Sequence, residues 1–283
     1  MKAEAGYKMK GILKNELKRA FINRNMAIAL LVGSVIAILQ VKDCGIPALE
    51  SLRYFDLYGK AEYPDSLFNT WIGGEGYTYH ATLYNLLIPL IAVFPFAGSL
   101  YLDIKNGYVK NIFTKTNKRY YFISKSIAAF LSGGTAVVLP LLLNLFLMSM
   151  FVPAVRPDSA TMMFSLNEKS MFSEIYYSNP FLYLLIFFTL MFFMSGMLCI
   201  ICLAISFFVD NYFVILTSVF VIYIVEKYIC EYFLDIKYAF SIFFRIDQSV
   251  SGLSISYILL KYGVCAVAAL STIFIEAGNE KNY

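Results

Sequence analysis

The stretch Asp103–Ser126, DIKNGYVKNIFTKTNKRYYFISKS, decides how the rest of the chain is read. It carries Lys105, Lys110, Lys115, Lys118, Arg119 and Lys125 against one acid, Asp103, and has a long apolar run on each side. So many cations do not sit in hydrocarbon, and Lys and Arg near the ends of membrane spans resist translocation. The connector therefore lies in water on the cytoplasmic side, and the apolar runs flanking it are neighbouring spans.

Composition points the same way. Of 283 residues, 59% are apolar and 15% charged, against roughly 45–50% and about 25% in soluble domains. The chain reads as an all-α, polytopic membrane protein. Residues 1–24 hold Lys2, Lys8, Lys10, Lys14, Lys18, Arg19 and Arg24 against Glu4 and Glu16. Ile12, Leu13, Leu17, Ala20 and Phe21 share one helical face, with Lys14, Lys18 and Arg19 on another. This pattern predicts a cytoplasmic elbow helix lying in the interface plane.

Residues 25–277 then form a six-helix transmembrane domain, with spans expected at about 25–41, 82–102, 126–150, 181–208, 212–233 and 255–275 and both termini cytoplasmic. Pro89 and Pro95 predict a bent second span. The acidic segment from Lys42 to Ala81 belongs outside, with turns at Pro64 and Gly73-Gly74 and a short helix over Leu49–Leu57. Segment 234–254 contains an apolar run at 238–244 that is too short to cross and reads as an outer re-entrant piece. The inner segments hold fourteen Lys and Arg and the longer outer segments nine, in keeping with this orientation.

Few residues carry chemistry. His80 is the single histidine and sits at the outer end of the second span. Cys199-x-x-Cys202 lies inside an apolar run, so its cysteines read as small buried hydrophobes rather than a redox or zinc pair. No catalytic or metal-binding constellation is expected, the charge pattern implies no nucleic-acid partner, and no G-x-x-x-x-G-K-[ST] phosphate loop is present. Glu226 and Lys261 fall at similar depth in the outer halves of the fifth and sixth spans, where pairing would offset the cost of burying either alone. An aromatic path along spans two and five is expected at Phe94, Phe96, Tyr101, Phe213, Phe220 and Tyr223.

This order of elements resembles the membrane subunits of type-2 ATP-binding-cassette exporters. In that family an acidic residue leaves span two, a glycine follows, and a threonine and a basic residue precede an aromatic entry into span three that carries a lysine. Asp103, Gly107, Thr116, Arg119, Tyr120 and Lys125 occupy those places, although Asp103 replaces the more usual glutamate and the proline after the threonine is missing. The resemblance implies that 103–125 is an ATPase-coupling loop, with Tyr108, Ile112 and Phe113 as apolar anchors. It implies a permease that is not itself an enzyme, in a bacterial plasma membrane, moving an amphipathic, peptide or lipid-like substrate. Its partners would be a separate ATPase subunit, which holds ATP and Mg, and a second permease subunit, the same or homologous; this chain would carry no cofactor. The alternatives are an intramembrane enzyme, such as a protease or lipid transferase, and a non-transporting immunity or partner protein.

Overall fold

The structure, a computed structural model, describes residues 2–58, 65–74, 76–114, 116–161, 164–167, 169–248 and 250–278. The turn expected at Pro64 lies outside them. Among the described residues every regular element is helical. The order is α1 (Lys2–Phe21), α2 (Arg24–Gln40), α3 (Ile46–Tyr58), α4 (Leu67–Thr70), α5 (Tyr79–Val93), α6 (Ser99–Lys105), α7 (Tyr108–Phe113), α8 (Lys118–Met148), α9 (Ser173–Ser178), α10 (Pro180–Ile205), α11 (Tyr212–Phe233), α12 (Phe240–Phe243) and α13 (Ile255–Gly278).

Asparagine sets the start of four of the long helices. The side-chain oxygens of Asn23, Asn117, Asn179 and Asn211 accept from backbone amides in the first turns of α2, α8, α10 and α11, satisfying donors that have no partner within the helix. Pro180 adds a preset φ at the first position of α10.

Among the described residues, five helices are long and apolar enough to cross a membrane: Arg24–Arg53, Lys118–Met148, Pro180–Ile205, Tyr212–Phe233 and Ile255–Glu276. The protein is therefore membrane-embedded in character. Span two, expected as one bent helix over 82–102, is instead two pieces. The helix α5 has 15 residues, about 22 Å at a rise of ~1.5 Å per residue and short of a hydrocarbon core of ~30 Å. A turn at 94–98, containing Pro95, separates it from α6.

Three other boundaries move. The first long helix does not stop at Val41; a π turn at Val41–Gly45 joins α2 to α3, so the start of the expected outer segment is helical. The connector is shorter than expected, because α8 begins at Lys118 rather than Ser126. The third change concerns α1. Ile12, Glu16 and Ala20 are buried, and the helix packs on α8. Ile12 and Ala20 of its apolar face thus pack on the protein interior, while Leu13 and Leu17 are half-buried and Phe21 is exposed.

The helices α8 and α10 make the centre, with 61% and 56% of their most apolar windows buried against 28% for α11 and 22% for α13. They approach closely at glycines: a Cβ on Gly134 would lie 2.7 Å from the Phe192 carbonyl, and one on Gly196 2.8 Å from the Phe130 carbonyl. Small residues at a crossing allow this contact between backbones. Tyrosine hydroxyls reach backbone carbonyls beside both prolines that lie inside helices. Pro89 cannot donate to the Asn85 carbonyl, and the Tyr223 hydroxyl donates to it instead at 3.3 Å. Near Pro140 the Val137 carbonyl accepts from the Tyr84 hydroxyl at 2.5 Å.

The bundle has two unlike ends. One, the basic end, gathers α1, α6, α7, the start of α8, the α10–α11 turn and the end of α13. The other, the loop end, is tied by polar side chains. Asn144 donates to the Ala37 carbonyl and to Gln40, and accepts from Ile72. Gln248 donates to the Met171 carbonyl and the Tyr183 hydroxyl. Arg245 grips both Asp247 and the Gly76 carbonyl.

Candidate functional site

Four charged residues from three elements meet at the basic end. Lys125, seven positions into α8, is fully enclosed at 1% exposure, as is Glu16 of α1 at 0%. Asp103 of α6 is buried too, and Arg19 of α1 stays about one-third exposed. The Lys125 ammonium donates to Asp103 Oδ2 at 2.6 Å and to Glu16 Oε2 at 3.1 Å. The Arg19 guanidinium grips Asp103 with two bonds, at 3.0 and 2.5 Å, and also donates to Glu16 Oε1 at 2.8 Å. The Tyr121 hydroxyl adds a bond to Asp103 Oδ2 at 2.7 Å. Two acids against two bases leave the cluster neutral.

Neutrality and full hydrogen bonding are what a low-dielectric site demands of buried charge. Burial alone would raise the Asp103 pKa, but Arg19 and Lys125 outweigh it and hold the carboxyl below the usual range. Its two acceptors keep the Arg19 guanidinium protonated against burial. Aromatic faces complete the enclosure. The Lys125 ammonium lies 4.3 Å from the Phe96 ring centre, and the Arg19 guanidinium lies 4.5 Å from that of Tyr108.

The arrangement places the short helix α7 between two anchored ends. Gly107 starts it with φ of 68°, in the left-handed region. Thr116 bonds back to the Ile112 carbonyl at 3.2 Å. Ile112 and Phe113, read as anchors for a partner, are half-buried against the protein's own core, with Phe113 edge-on to Tyr121 at 6.1 Å. What α7 shows to solvent is Lys110 and Asn111. Arg119 is exposed and Tyr120 half-buried, and no contact joins either to the cluster among the described residues.

Of the residues read from the sequence, then, Asp103, Tyr108 and Lys125 come together. Glu16, Arg19 and Tyr121 complete the cluster and were not singled out. One signal was available: Glu16 stands at helical spacing between Ile12 and Ala20, an acid on an otherwise apolar face. Tyr121 had none, since one aromatic in a Tyr-Tyr-Phe run looks like another.

The six aromatics expected along spans two and five lie in different surroundings. Phe94 and Phe213 line a wholly apolar hollow of about 400 Å³ with Ile28, Val32, Leu87 and Leu216. Phe96 is buried under the cations and Tyr223 is buried in contact with Asn85. The Tyr101 hydroxyl donates to the Asp210 carbonyl at 3.0 Å, and Phe220 is half-buried on α11.

At the loop-end side of the membrane helices, Lys261 of α13 pairs with Glu226 of α11. The same ammonium donates to the Tyr238 carbonyl at 2.5 Å, while Glu226 accepts from the Phe240 amide at 3.0 Å and the Cys230 thiol at 3.3 Å. Phe240, Ile242 and Phe243 of the intervening segment are buried. His80 lies 3.3 Å from the Asp43 carboxylate.

No protein-family model matches this chain, and no curated protein or solved structure matches it either.

Proposed function

We propose that the chain is the permease subunit of an ATP-binding-cassette exporter in a bacterial plasma membrane. On this reading it has six spans, α5 with α6 forming the broken second one, and its basic end faces the cytoplasm. The observation that carries it is the charge cluster welding α1, α6 and α8 around α7. A short exposed helix whose two ends are held by buried ion pairs is a stiff lever, so a push on α7 is delivered to membrane helices instead of being absorbed by a loop. The separate ATPase subunit, which holds ATP and Mg, docks on the α7 surface at Lys110 and Asn111. A second permease subunit, the same or homologous, completes the path. The apolar hollow at Phe94 and Phe213 receives the amphipathic or lipid-like cargo, for a lining whose one hydroxyl, that of Thr217, is turned to its own helix backbone suits greasy chains.

The test is photo-crosslinking from position 110 in native membranes, followed by ATPase assay of the purified complex. An ATP-hydrolysing partner captured from position 110 but not from Tyr79 at the loop end is the expected result. If the only products are lipid or fragments of the chain itself, and the purified material hydrolyses no ATP, the reading fails.

A further inference from the structure

We propose that the outer face of α1 is a docking surface for anionic phospholipid in the leaflet at the basic end. This rests on that end lying at a membrane surface and holds whether or not the chain is a permease.

Lys10, Lys14 and Lys18 recur every four residues and are all exposed. Four residues is close to one helical turn, so the three ammonium groups form one stripe about 12 Å long. It points away from the protein, because Ile12, Glu16 and Ala20 on the opposite side are buried against α8. Among the described residues, the two acids next to α1 do not neutralise the stripe. Glu16 and Asp103 lie inside, each bonded to both Arg19 and Lys125. The nearby exposed positions Lys105 and Lys110 add further positive charge. A stripe of this kind seeks an acidic surface.

The foot of the stripe decides between lipid and an acidic protein. Phe21, grouped by the sequence pattern with the apolar face, falls instead with Ile22 on the lysine face, i+3 and i+4 from Lys18, and the two are 37% and 74% exposed. Arg24 then opens the first long apolar helix. The face therefore runs from cations to bare apolar groups as it nears the span. A leaflet presents the same sequence of environments, phosphates first and acyl chains below them. The depth fits as well. The helix α8 has 31 residues, about 46 Å against a hydrocarbon core of ~30 Å, so its first turns stand in the headgroup zone. Lys125, to which α1 is tied, belongs to those turns.

Each lysine near an anionic surface contributes roughly a fivefold preference, about a hundredfold for three, and salt weakens it. The full-length protein is placed in nanodiscs of phosphatidylcholine with or without phosphatidylglycerol, and amide exchange is followed over residues 10–22. Phosphatidylglycerol is expected to slow exchange there by up to about a hundredfold, reversibly on adding salt. In the Lys10→Gln, Lys14→Gln, Lys18→Gln triple variant the response is expected to vanish while exchange in α10 stays as in the wild type. Inorganic phosphate added to neutral nanodiscs is expected to do little, because it lacks the chains that cover Phe21 and Ile22. Exchange indifferent to phosphatidylglycerol, or an equal response from the variant, overturns the proposal. So does protection conferred in neutral nanodiscs by a bound ATPase subunit and abolished by the triple substitution, which would make the stripe a protein interface.

Discussion

Two of the ion-paired sites in this bundle are built differently. At the basic end, four charges and a tyrosine hydroxyl bond to one another, joining residues 84 and 109 positions apart in the chain. At the loop end, one acid and one base meet, and each spends its remaining bonding capacity on backbone of the segment between them, at Tyr238 and Phe240. The first site fastens helix to helix and resists any change in their relative position. The second fastens a loop segment to two helices. Removing one charge therefore has different consequences, since the buried cluster would keep an uncompensated charge while the partly exposed pair has water within reach.

Lys125→Met is expected to have the largest effect. It leaves two acids facing Arg19 alone in an enclosed site, and breaking a buried pair in this way costs about 3–5 kcal/mol. Thermal melting in detergent would show it; a loss below about 1 kcal/mol would mean that water already reaches the cluster. Acid should act through the same site. Because the Asp103 carboxyl is held below its ordinary range, its contribution is complete above the unfolded carboxylate value, near pH 4. It is lost as pH falls further, through the folded value. A melt that is flat from neutrality down to about pH 4 and falls below it is the expected profile.

At the loop end the comparison sharpens by exchange. Glu226→Lys or Lys261→Glu alone sets like charges together, and the pair is about one-fifth exposed on each side. Each single change is expected to cost about 1–3 kcal/mol, between the exposed and buried limits. The double exchange should recover part of the loss and no more, since the bonds to Tyr238 and Phe240 do not survive the swap. Full recovery would show that those backbone bonds are idle, and no recovery that the charges do not interact.

Gly107→Ala is the mildest change. Nothing lies within 4 Å of the added Cβ, but φ of 68° remains, so about 1 kcal/mol is expected from backbone strain alone. A cost several times larger would mean that α7 is packed more tightly than its exposed face indicates.

Much of the architecture was legible. The run of 22 residues at Tyr212–Phe233 is bounded as its apolar pattern predicts, because Asn211 caps it and charge ends it. The two-piece second span was less legible. Pro89 and Pro95 announce distortion, but Pro89 sits within an unbroken helix, where the Tyr223 hydroxyl bonds the freed Asn85 carbonyl, while the chain turns at Pro95. The cluster was half legible for a related reason. Asp103 and Lys125 stand out in a quoted stretch, whereas Glu16 and Arg19 reach them only through the docking of α1, a tertiary event that local pattern does not encode. That docking also divides the apolar residues of this stretch, with Ile12 and Ala20 buried and Phe21 and Ile22 left exposed.

The repair of Pro89 by Tyr223 bears on how the chain is made. The Asn85 carbonyl finds its donor 138 residues further along. At a synthesis rate of ~5–20 residues per second, that donor emerges about 7–28 s after α5 does. Until then the carbonyl has no partner within its own helix, and an unsatisfied carbonyl in hydrocarbon costs several kcal/mol. Short and incomplete, α5 is therefore expected to settle in the lipid only once α11 has been translated, out of the order of the sequence.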